Sequence, residues 1–336
     1  MTTIRDVARQ LNISIATVSR ALDGYYDVAD HTRQLVIQTA QEMGYAPNRA
    51  ARQLRRQKAE TIGFIIPAST QRFDEPYFME FIAAMGDELS GKNFDLLVAN
   101  AASEKIEGNL YQRWVNSRKV DGFIMNRTSL HDWRVQYLTK AKVPFVSLGK
   151  SRDGIDYPCI RIDGSDGYIA LIKHLLERGF SRFAFIGGLS ELTTHIDRLQ
   201  WFQSALTGQG LTCEPQNVLS TNMTIAGGYE AATSLLSQLV PPDAILCVND
   251  ETAFGALEAA RERGLIIGED LAIAGFDGVK DSLHTVPPLT TLDIPVPDIA
   301  RQLVRMILAT IQKEALPQDE IIIQASLLVR ASTGGE

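Results

Sequence analysis

The chain has 336 residues, of which 45% are apolar and 22% are charged, a composition typical of a soluble globular protein with two or three domains. No apolar run approaches the roughly 18 residues that span a membrane, and the N-terminus lacks the apolar core of a secretion signal, so we expect a cytoplasmic protein without a membrane partner. Three cysteines form no Cys-x-x-Cys pair and the five histidines are scattered, so we expect no metal site and no cofactor.

The net charge of −7 is unevenly distributed along the chain. Residues 1–60 carry nine lysines and arginines against six acidic residues, a net charge of +3, so the other residues carry −10. A stretch without acids between Glu42 and Glu60 contains Arg49, Arg52, Arg55, Arg56 and Lys58. A small basic module is joined to a large acidic one, so the acidic total does not exclude a nucleic-acid partner.

The first module is predicted to contain three short helices. Thr3 and Asp6 have the spacing of a helix N-cap, Ser14 can cap a second helix after a tight turn, and a third helix over about 31–43 is followed by Gly44. The second helix leaves an outward set near its N-terminus, where a DNA-recognition helix meets base edges: Ile15, Ala16, Thr17 and Arg20. A plain three-helix bundle has the same periodicity, so the pattern alone leaves both alternatives open.

The stretch "APNRAARQLRRQKAETIG" favours DNA binding. Pro47 suits the first position of a helix whose small apolar face, Ala50, Ala51 and Leu54, is surrounded by arginines. A helix of about nine residues is not stable alone in water. We therefore expect it to form against DNA phosphates and a second copy of itself, with its leucine wedged into a minor-groove base step.

Three segments of this module resemble the lac repressor family of transcription regulators: "TIRDVARQLNISIATVSRAL", "VADHTRQLVIQTAQEMGYAPNRAARQL" and "TIGFIIP". The resemblance implies a helix-turn-helix domain over residues 1–46, a hinge helix and linker over 47–60, and an effector-binding and dimerisation domain over 61–336. It also implies that the outward set of the second helix reads bases and that Leu54 is the minor-groove wedge. The DNA-binding residues expected in the hinge are Asn48, Ala51, Leu54 and Arg55.

The second module alternates short apolar runs with amphipathic stretches. The runs cover residues 61–67, 94–100, 120–126, 144–149, 182–188, 244–250 and 271–277. Near-continuous apolar strands separated by helices predict parallel sheets covered on both faces. We expect an α/β domain of two doubly wound parallel-sheet subdomains, with crossovers near 159–163, 289–295 and 321–327. Ligands bind such sheets beyond the carboxyl ends of the strands.

Several polar and aromatic residues near those strand ends are candidates for effector binding: Tyr77, Phe78, Arg127, Arg198, Asn249 and Asp277. Each has a structural alternative: Asn249 and Asp277 can cap helices, Arg198 can lie on a solvated helix face, and the two aromatics can belong to the core. Together they describe a cleft for a hydroxyl-rich small molecule, because planar polar groups provide forked hydrogen bonds and rings cover the apolar face of a sugar.

The segments "GGYEAA", "VNDETAFGAL", "IAGFDG" and "LLVRAST" resemble the effector-binding core of the same family, which is related in fold to periplasmic sugar-binding proteins. The resemblance implies that Arg198, Asn249 and Asp277 hold effector hydroxyls, and Asn249 favours a sugar over a purine. Similarity to regulators of α-glucoside use adds Arg127. Where many members have a stacking aromatic, this chain has Met223. The absence of a leucine-heptad tail implies a homodimer.

The sequence therefore predicts a repressor that binds a pseudo-palindromic double-stranded DNA operator and releases it when a sugar binds between the sheets. The alternatives are a purine- or phosphometabolite-responsive member, a sugar corepressor, or a transport-type solute-binding protein, which the basic module disfavours. An enzyme is disfavoured because G-x-x-x-x-G-K-[ST], G-x-G-x-x-G and G-x-S-x-G are all absent from the sequence.

Overall fold

The computed structural model describes residues 2–45, 58–67 and 76–335 of the chain. The chain forms two compact units, Met1–Ala59 and Glu60–Glu336. Most of the predicted hinge helix, including its four expected DNA-binding residues, lies outside the described residues. No helix in the described ranges combines the length and the apolar character that a membrane span requires.

The first unit contains three helices: α1 (Ile4–Leu11), α2 (Ile15–Leu22) and α3 (Asp30–Glu42). Both predicted helix starts are confirmed. The Asp6 carboxylate accepts hydrogen bonds from the Thr3 backbone N–H at 2.9 Å and the Thr3 hydroxyl at 2.7 Å, and the Ser14 hydroxyl accepts one from the Thr17 backbone N–H at 3.0 Å. The three helices share a core that includes Val7, Val18, Ala21, Val36 and Ala40.

The second unit begins with a six-stranded sheet whose strands pair in parallel, in the order β11-β5-β4-β3-β1-β2. Its strands are β1 (Thr61–Ile66), β2 (Asp95–Asn100), β3 (Gly122–Met125), β4 (Phe145–Leu148), β5 (Cys159–Asp163) and β11 (Glu320–Gln324). The helices associated with it are α4 (Pro76–Ser90), α5 (Glu104–Asn116), α6 (Trp133–Ala141) and α11 (Val296–Gln312).

A second six-stranded sheet has the order β12-β10-β9-β8-β6-β7. Its strands are β6 (Phe183–Gly187), β7 (Val218–Ser220), β8 (Ala244–Cys247), β9 (Ala272–Asp277), β10 (Thr290–Asp293) and β12 (Ser326–Leu328), and its helices are α7 (Ser165–Glu177), α8 (Thr193–Gly208), α9 (Ile225–Leu236) and α10 (Asp250–Glu262). The two-sheet architecture agrees with the predicted fold class.

Both sheets are predominantly parallel, as predicted, and the exception is β12, which pairs antiparallel with β10. Only Ala325 separates β12 from β11, so the chain runs straight from one sheet into the other. The strands of the two sheets have their carboxyl ends facing each other. A chain that leaves the first sheet at this edge and continues straight into the second sheet therefore runs antiparallel to the strands of the second sheet. The chain also passes between the sheets at Gly164, between β5 and α7, and at Ile294, between β10 and α11.

Helices α9 and α10 pack closely enough to exclude side chains at two glycines, which gives a stability prediction. A Cβ at Gly255 would lie 1.9 Å from the Ile225 carbonyl oxygen, and one at Gly228 would lie 2.1 Å from the Thr252 carbonyl oxygen. We expect Gly255→Ala to destabilise the protein by about 3 kcal/mol, because backbone atoms cannot rotate away as a side chain does.

Gly86→Ala is the matched control, because Gly86 lies inside α4 and has no atom within 4 Å of an added Cβ. We expect it to stabilise the protein by about 0.5–1 kcal/mol through the helix propensity of alanine. The measurement is the urea midpoint of each full-length variant. Similar midpoints for the two variants would contradict close packing at α9 and α10.

Candidate functional site

A cavity that is open to solvent on one side lies between the carboxyl ends of the two sheets, and its empty space of about 760 Å³ includes part of that solvent. The first sheet contributes the turns that follow β3 and β4, while the second contributes α8 and the ends of β8 and β9. Five of the six predicted effector residues line this cavity: Tyr77, Arg127, Arg198, Asn249 and Asp277. The expectation that ligands bind beyond the carboxyl ends of the strands therefore locates the cavity correctly. The ligand-binding role of each residue stays a prediction.

Arg198 and Asp277 form a buried ion pair at the second sheet. The Arg198 Nη2 atom donates to the Asp277 Oδ1 atom at 2.9 Å, and the side chains are only 7% and 9% exposed. Arg198 also donates to the Val248 carbonyl oxygen, and its Cζ atom lies 3.6 Å from the centroid of the Phe276 ring. Arg198 is thus not on a solvated helix face, because these three partners hold its guanidinium at the cavity.

Asp277 has an unusual backbone for a residue with a side chain, with φ at +107°. Such a conformation costs about 1–3 kcal/mol and persists where the surroundings fix it, often at ligand sites. Burial raises the pKa of the Asp277 carboxyl above its ordinary 3.8, although the Arg198 guanidinium opposes this rise. The carboxylate is therefore held at the cavity wall beside a cation that favours its ionised form.

Asn249 is the N-cap of α10, as its structural alternative predicted, and it also lines the cavity. Its Oδ1 atom accepts from the Thr252 backbone N–H at 3.2 Å, while its Nδ2 atom donates to the Met223 carbonyl oxygen at 3.2 Å and to Glu251 Oε2 at 2.7 Å. These bonds use both amide hydrogens. A ligand that binds Asn249 must therefore replace one of them, and Glu251 is the exchangeable side-chain partner.

Phe78 does not line the cavity, so its expected ligand contact is wrong. It is fully buried in the core, where its ring centroid lies 6.2 Å from that of Phe64. Tyr77 and Phe78 are consecutive residues of α4, and consecutive side chains of a helix point about 100° apart. Only Tyr77 reaches the cavity, where its hydroxyl accepts a hydrogen bond from Asn126 Nδ2 at 3.1 Å.

A buried arginine supports the turn that carries Asn126 and Arg127. Arg134 donates to the carbonyl oxygens of these two residues at 3.2 Å and 3.0 Å, and it pairs with Asp132 at 2.6 Å. Burial alone would raise the pKa of Asp132, but Arg134 holds it below 3.8. Arg127 has a left-handed backbone with φ at +49°, and its Cζ atom lies 5.1 Å from the Phe78 ring centroid. Phe78 therefore contacts the cavity-lining residue Arg127, although it does not line the cavity itself.

The sequence interpretation missed charged residues of the cavity whose partners are distant in sequence. Lys150 and Arg161 line it and pair with Glu320 of β11 at 2.8 Å and 3.0 Å. Asp197 pairs with Arg152 at 3.3 Å. The sequence could have indicated these residues, because Lys150 follows β4, Arg161 lies in β5 and Asp197 is next to Arg198. No local pattern, however, connects them to Glu320 or Arg152. Trp201 of α8 was also missed.

The two halves of the second unit are hydrogen-bonded at the edge of the cavity. Ser129 and Leu192 form an antiparallel bridge, and the Leu130 backbone N–H donates to the Glu191 carbonyl oxygen at 2.8 Å. The backbone N–H and the hydroxyl of Thr193 both donate to the carbonyl oxygen of Thr128, each at 3.0 Å. These bonds close one side of the cavity and tie α8 to the turn after β3.

The expected base-reading residues lie on one side of helix α2. Ile15, Ala16 and Arg20 are exposed and Thr17 is half-buried, whereas Val18 is fully buried. The Arg20 guanidinium pairs with Asp27 and lies 5.2 Å from the ring centroid of Tyr25. The N-terminal part of α2 is therefore accessible, and Arg20 in the last turn of the helix is held by the loop that follows it.

Comparisons with known proteins agree with this organisation. Residues 3–48 match the family described as bacterial regulatory proteins, lacI family, and residues 172–333 match the periplasmic binding protein-like domain. The transcriptional regulator AglR of Rhizobium meliloti is 33% identical, with 98% of this chain and 94% of that protein covered. The repressor CytR of Escherichia coli is 29% identical over 98% of this chain and 96% of its own length.

Among solved structures, the lac repressor dimer bound to operator and an anti-inducer has a TM-score of 0.83 and 25% identity, with 99% of each chain covered. The complex of the regulator CelR with cellobiose has a TM-score of 0.75 and 26% identity, covering 99% of this chain and 100% of that one. These likenesses confirm the predicted fold class. With the match of residues 3–48 and a relative 33% identical over almost its whole length, they establish that the chain belongs to the lacI family of bacterial regulatory proteins.

Proposed function

We propose that this regulator is a cytoplasmic repressor rather than an enzyme, and that it binds a pseudo-palindromic operator as a homodimer. We further propose that a neutral, hydroxyl-rich sugar binds the cavity between the two sheets and releases the operator. The observation that carries the effector proposal is the buried Arg198–Asp277 pair at the end of β9, facing the Asn126–Arg127 turn of the other sheet.

The first unit supports operator binding through the exposed side of α2. Ser14 and Val18 fix the helix by its cap and its core contact, so the exposed residues Ile15, Ala16 and Arg20 are presented on a rigid element. A helix presented in this way fits the major groove, where arginine forms paired hydrogen bonds with guanine. Two copies related by a two-fold axis would read two half-sites.

A neutral ligand is supported by the charge pairing around the cavity. Arg198 pairs with Asp277, and Lys150 and Arg161 share Glu320, so these three cations already face carboxylates. A phosphorylated ligand would compete with those carboxylates and would meet their negative charge. Sugar hydroxyls both donate and accept hydrogen bonds, which suits a surface of alternating carboxylate, guanidinium and amide groups.

The hydrogen bonds at the edge of the cavity support a coupling between ligand binding and the arrangement of the two halves. Thr128 and Thr193 already meet there, and a sugar bound to both Arg127 and Arg198 would strengthen the closed arrangement. In a dimer, closure of each protomer would shift the halves that directly follow the hinge. Since a short hinge helix is marginal, a small shift suffices to weaken operator binding.

The test begins with a thermal-shift screen of the full-length protein against maltose, sucrose, trehalose, cellobiose, glucose 6-phosphate, adenine and guanine. We expect a neutral disaccharide to stabilise the protein by about 2.7 kcal/mol at 100 times its dissociation constant. The same sugar should then release DNA selected by the protein from a randomised duplex library, measured by fluorescence anisotropy. Stabilisation by phosphorylated or purine compounds alone would overturn the proposed effector class, and stronger DNA binding with sugar would overturn its role as an inducer.

A further inference from the structure

Trp201 borders the same cavity as the Arg198–Asp277 ion pair. It follows Arg198 by three residues and Asp197 by four in α8, so the three side chains lie on one face of the helix, and all three line the cavity. Trp201 is half-buried, so part of its indole is fixed by packing while part remains accessible. One helix face therefore offers a carboxylate, a guanidinium and a large aromatic ring.

The indole is held in place from the side of the crossover between the sheets. A Cβ added to Gly164 would lie 3.1 Å from both Cε3 and Cζ3 of Trp201, so the backbone of Gly164 lies against the benzo ring. The Tyr168 ring, with its centroid 6.2 Å away, supports the indole from α7. Gly164 has no side chain, so the indole packs directly on its backbone at the cavity wall.

Met223 also lines the cavity from the side of the second sheet, but it has different properties. Met223 is 5% exposed, and its Sδ atom would lie 2.7 Å from a Cβ placed on Gly188. A buried thioether packed on backbone offers little accessible surface and no aromatic face. Trp201 therefore offers an accessible aromatic ring from the side of the second sheet, one turn of α8 away from Arg198, while Tyr77 lines the cavity from the side of the first sheet.

We propose that Trp201 is the aromatic stacking surface of the effector site and selects a ligand with a pyranose ring. A pyranose has one face of C–H groups and a rim of hydroxyls, which fits an indole next to a carboxylate–guanidinium pair. The ring covers the C–H face while Arg198 and Asp277 bind rim hydroxyls. This inference rests on the proposed sugar-binding function and adds the residue that determines ligand class.

The test compares Trp201→Phe, Trp201→Leu and Trp133→Phe in the full-length protein, using the tightest-binding disaccharide of the thermal-shift screen. Isothermal titration calorimetry should give an affinity within about threefold of wild type for Trp201→Phe and at least about tenfold weaker for Trp201→Leu, because leucine fills the space without an aromatic face. Trp133 is 41% exposed and does not line the cavity, so its variant should bind as wild type does.

Tryptophan fluorescence gives a second readout that does not depend on stability. Sugar binding should change the emission of the wild type and of Trp133→Phe, and Trp201→Phe should lose this change. Wild-type affinity in Trp201→Leu, or an unchanged fluorescence response in Trp201→Phe, would overturn the role of Trp201. If the wild type binds no sugar of the screen, the proposed function itself fails, so the two failures are distinguishable.

Discussion

Asp277→Asn is expected to remove the response to the effector at sugar concentrations that release the wild type from DNA. The substitution leaves the Arg198 guanidinium, 7% exposed, without its carboxylate, and it removes the ionised acceptor at the cavity wall. Breaking a buried ion pair by removing one partner costs about 3–5 kcal/mol. We therefore expect a lower unfolding midpoint as well, while operator binding persists below that midpoint because the first unit is unchanged.

Two comparisons separate the ion pair from general damage. In the double variant Arg198→Met/Asp277→Asn no charge is left unpaired, so its stability loss should be smaller than the sum of the single losses. Glu177→Gln breaks an exposed pair with Lys173, in which the two side chains are 66% and 69% exposed, and should cost only about 0–1 kcal/mol. A wild-type response to sugar in Asp277→Asn would show that Asp277 is not an effector residue.

The pH dependence of sugar binding provides a second readout for the same carboxyl. Burial raises the pKa of Asp277 above 3.8 despite Arg198, so on acidification this carboxyl is protonated before an exposed aspartate would be. Sugar affinity should be full above the raised pKa and fall as the pH passes down through it. Asp277→Asn should lack this dependence in whatever residual binding remains measurable by calorimetry at high protein concentration.

The predictions that succeeded depend on interactions local in sequence. Ser14 caps α2 because a hydroxyl at that position reaches the N–H three residues later, which spacing alone reveals. The apolar runs correspond to strands because a strand buried on both faces has few polar residues. Parallel strands then place their carboxyl ends at one edge, so Arg127, Asn249 and Asp277 were expected to lie near one cavity.

The predictions that failed depend on direction or on distant partners. Tyr77 and Phe78 are adjacent aromatic residues, and the sequence does not show which of them faces the cavity. Only the position of α4, which begins at Pro76, decides this. The three-residue strands β7 and β12 are too short to show a period. The pairing of Lys150 and Arg161 with Glu320 joins residues about 160 positions or more apart, and no pattern along the chain specifies such a contact.

Arg20→Ala is expected to relax the base preference of operator binding at one position of each half-site. Arg20 is the only long cation on the exposed side of α2, with its side chain 49% exposed. Loss of a paired contact to a base edge costs about 1–3 kcal/mol, or roughly 5- to 150-fold in discrimination. The measurement is selection from a randomised palindromic duplex library, with base frequencies compared between the variant and the wild type.

Arg9→Ala is the matched control for this prediction. Arg9 lies in α1 of the same unit with its side chain 82% exposed, and the first helix of such a domain crosses the DNA backbone. Loss of a phosphate contact weakens binding to all sequences equally and lowers the salt dependence by about one unit, whereas loss of a base contact changes the sequence preference.

Arg20 pairs with Asp27 in the absence of DNA, so Arg20 must exchange this partner for a base when it binds the operator. An unchanged preference at every position in Arg20→Ala would assign Arg20 to the phosphates and leave base reading to Ile15, Ala16 and Thr17.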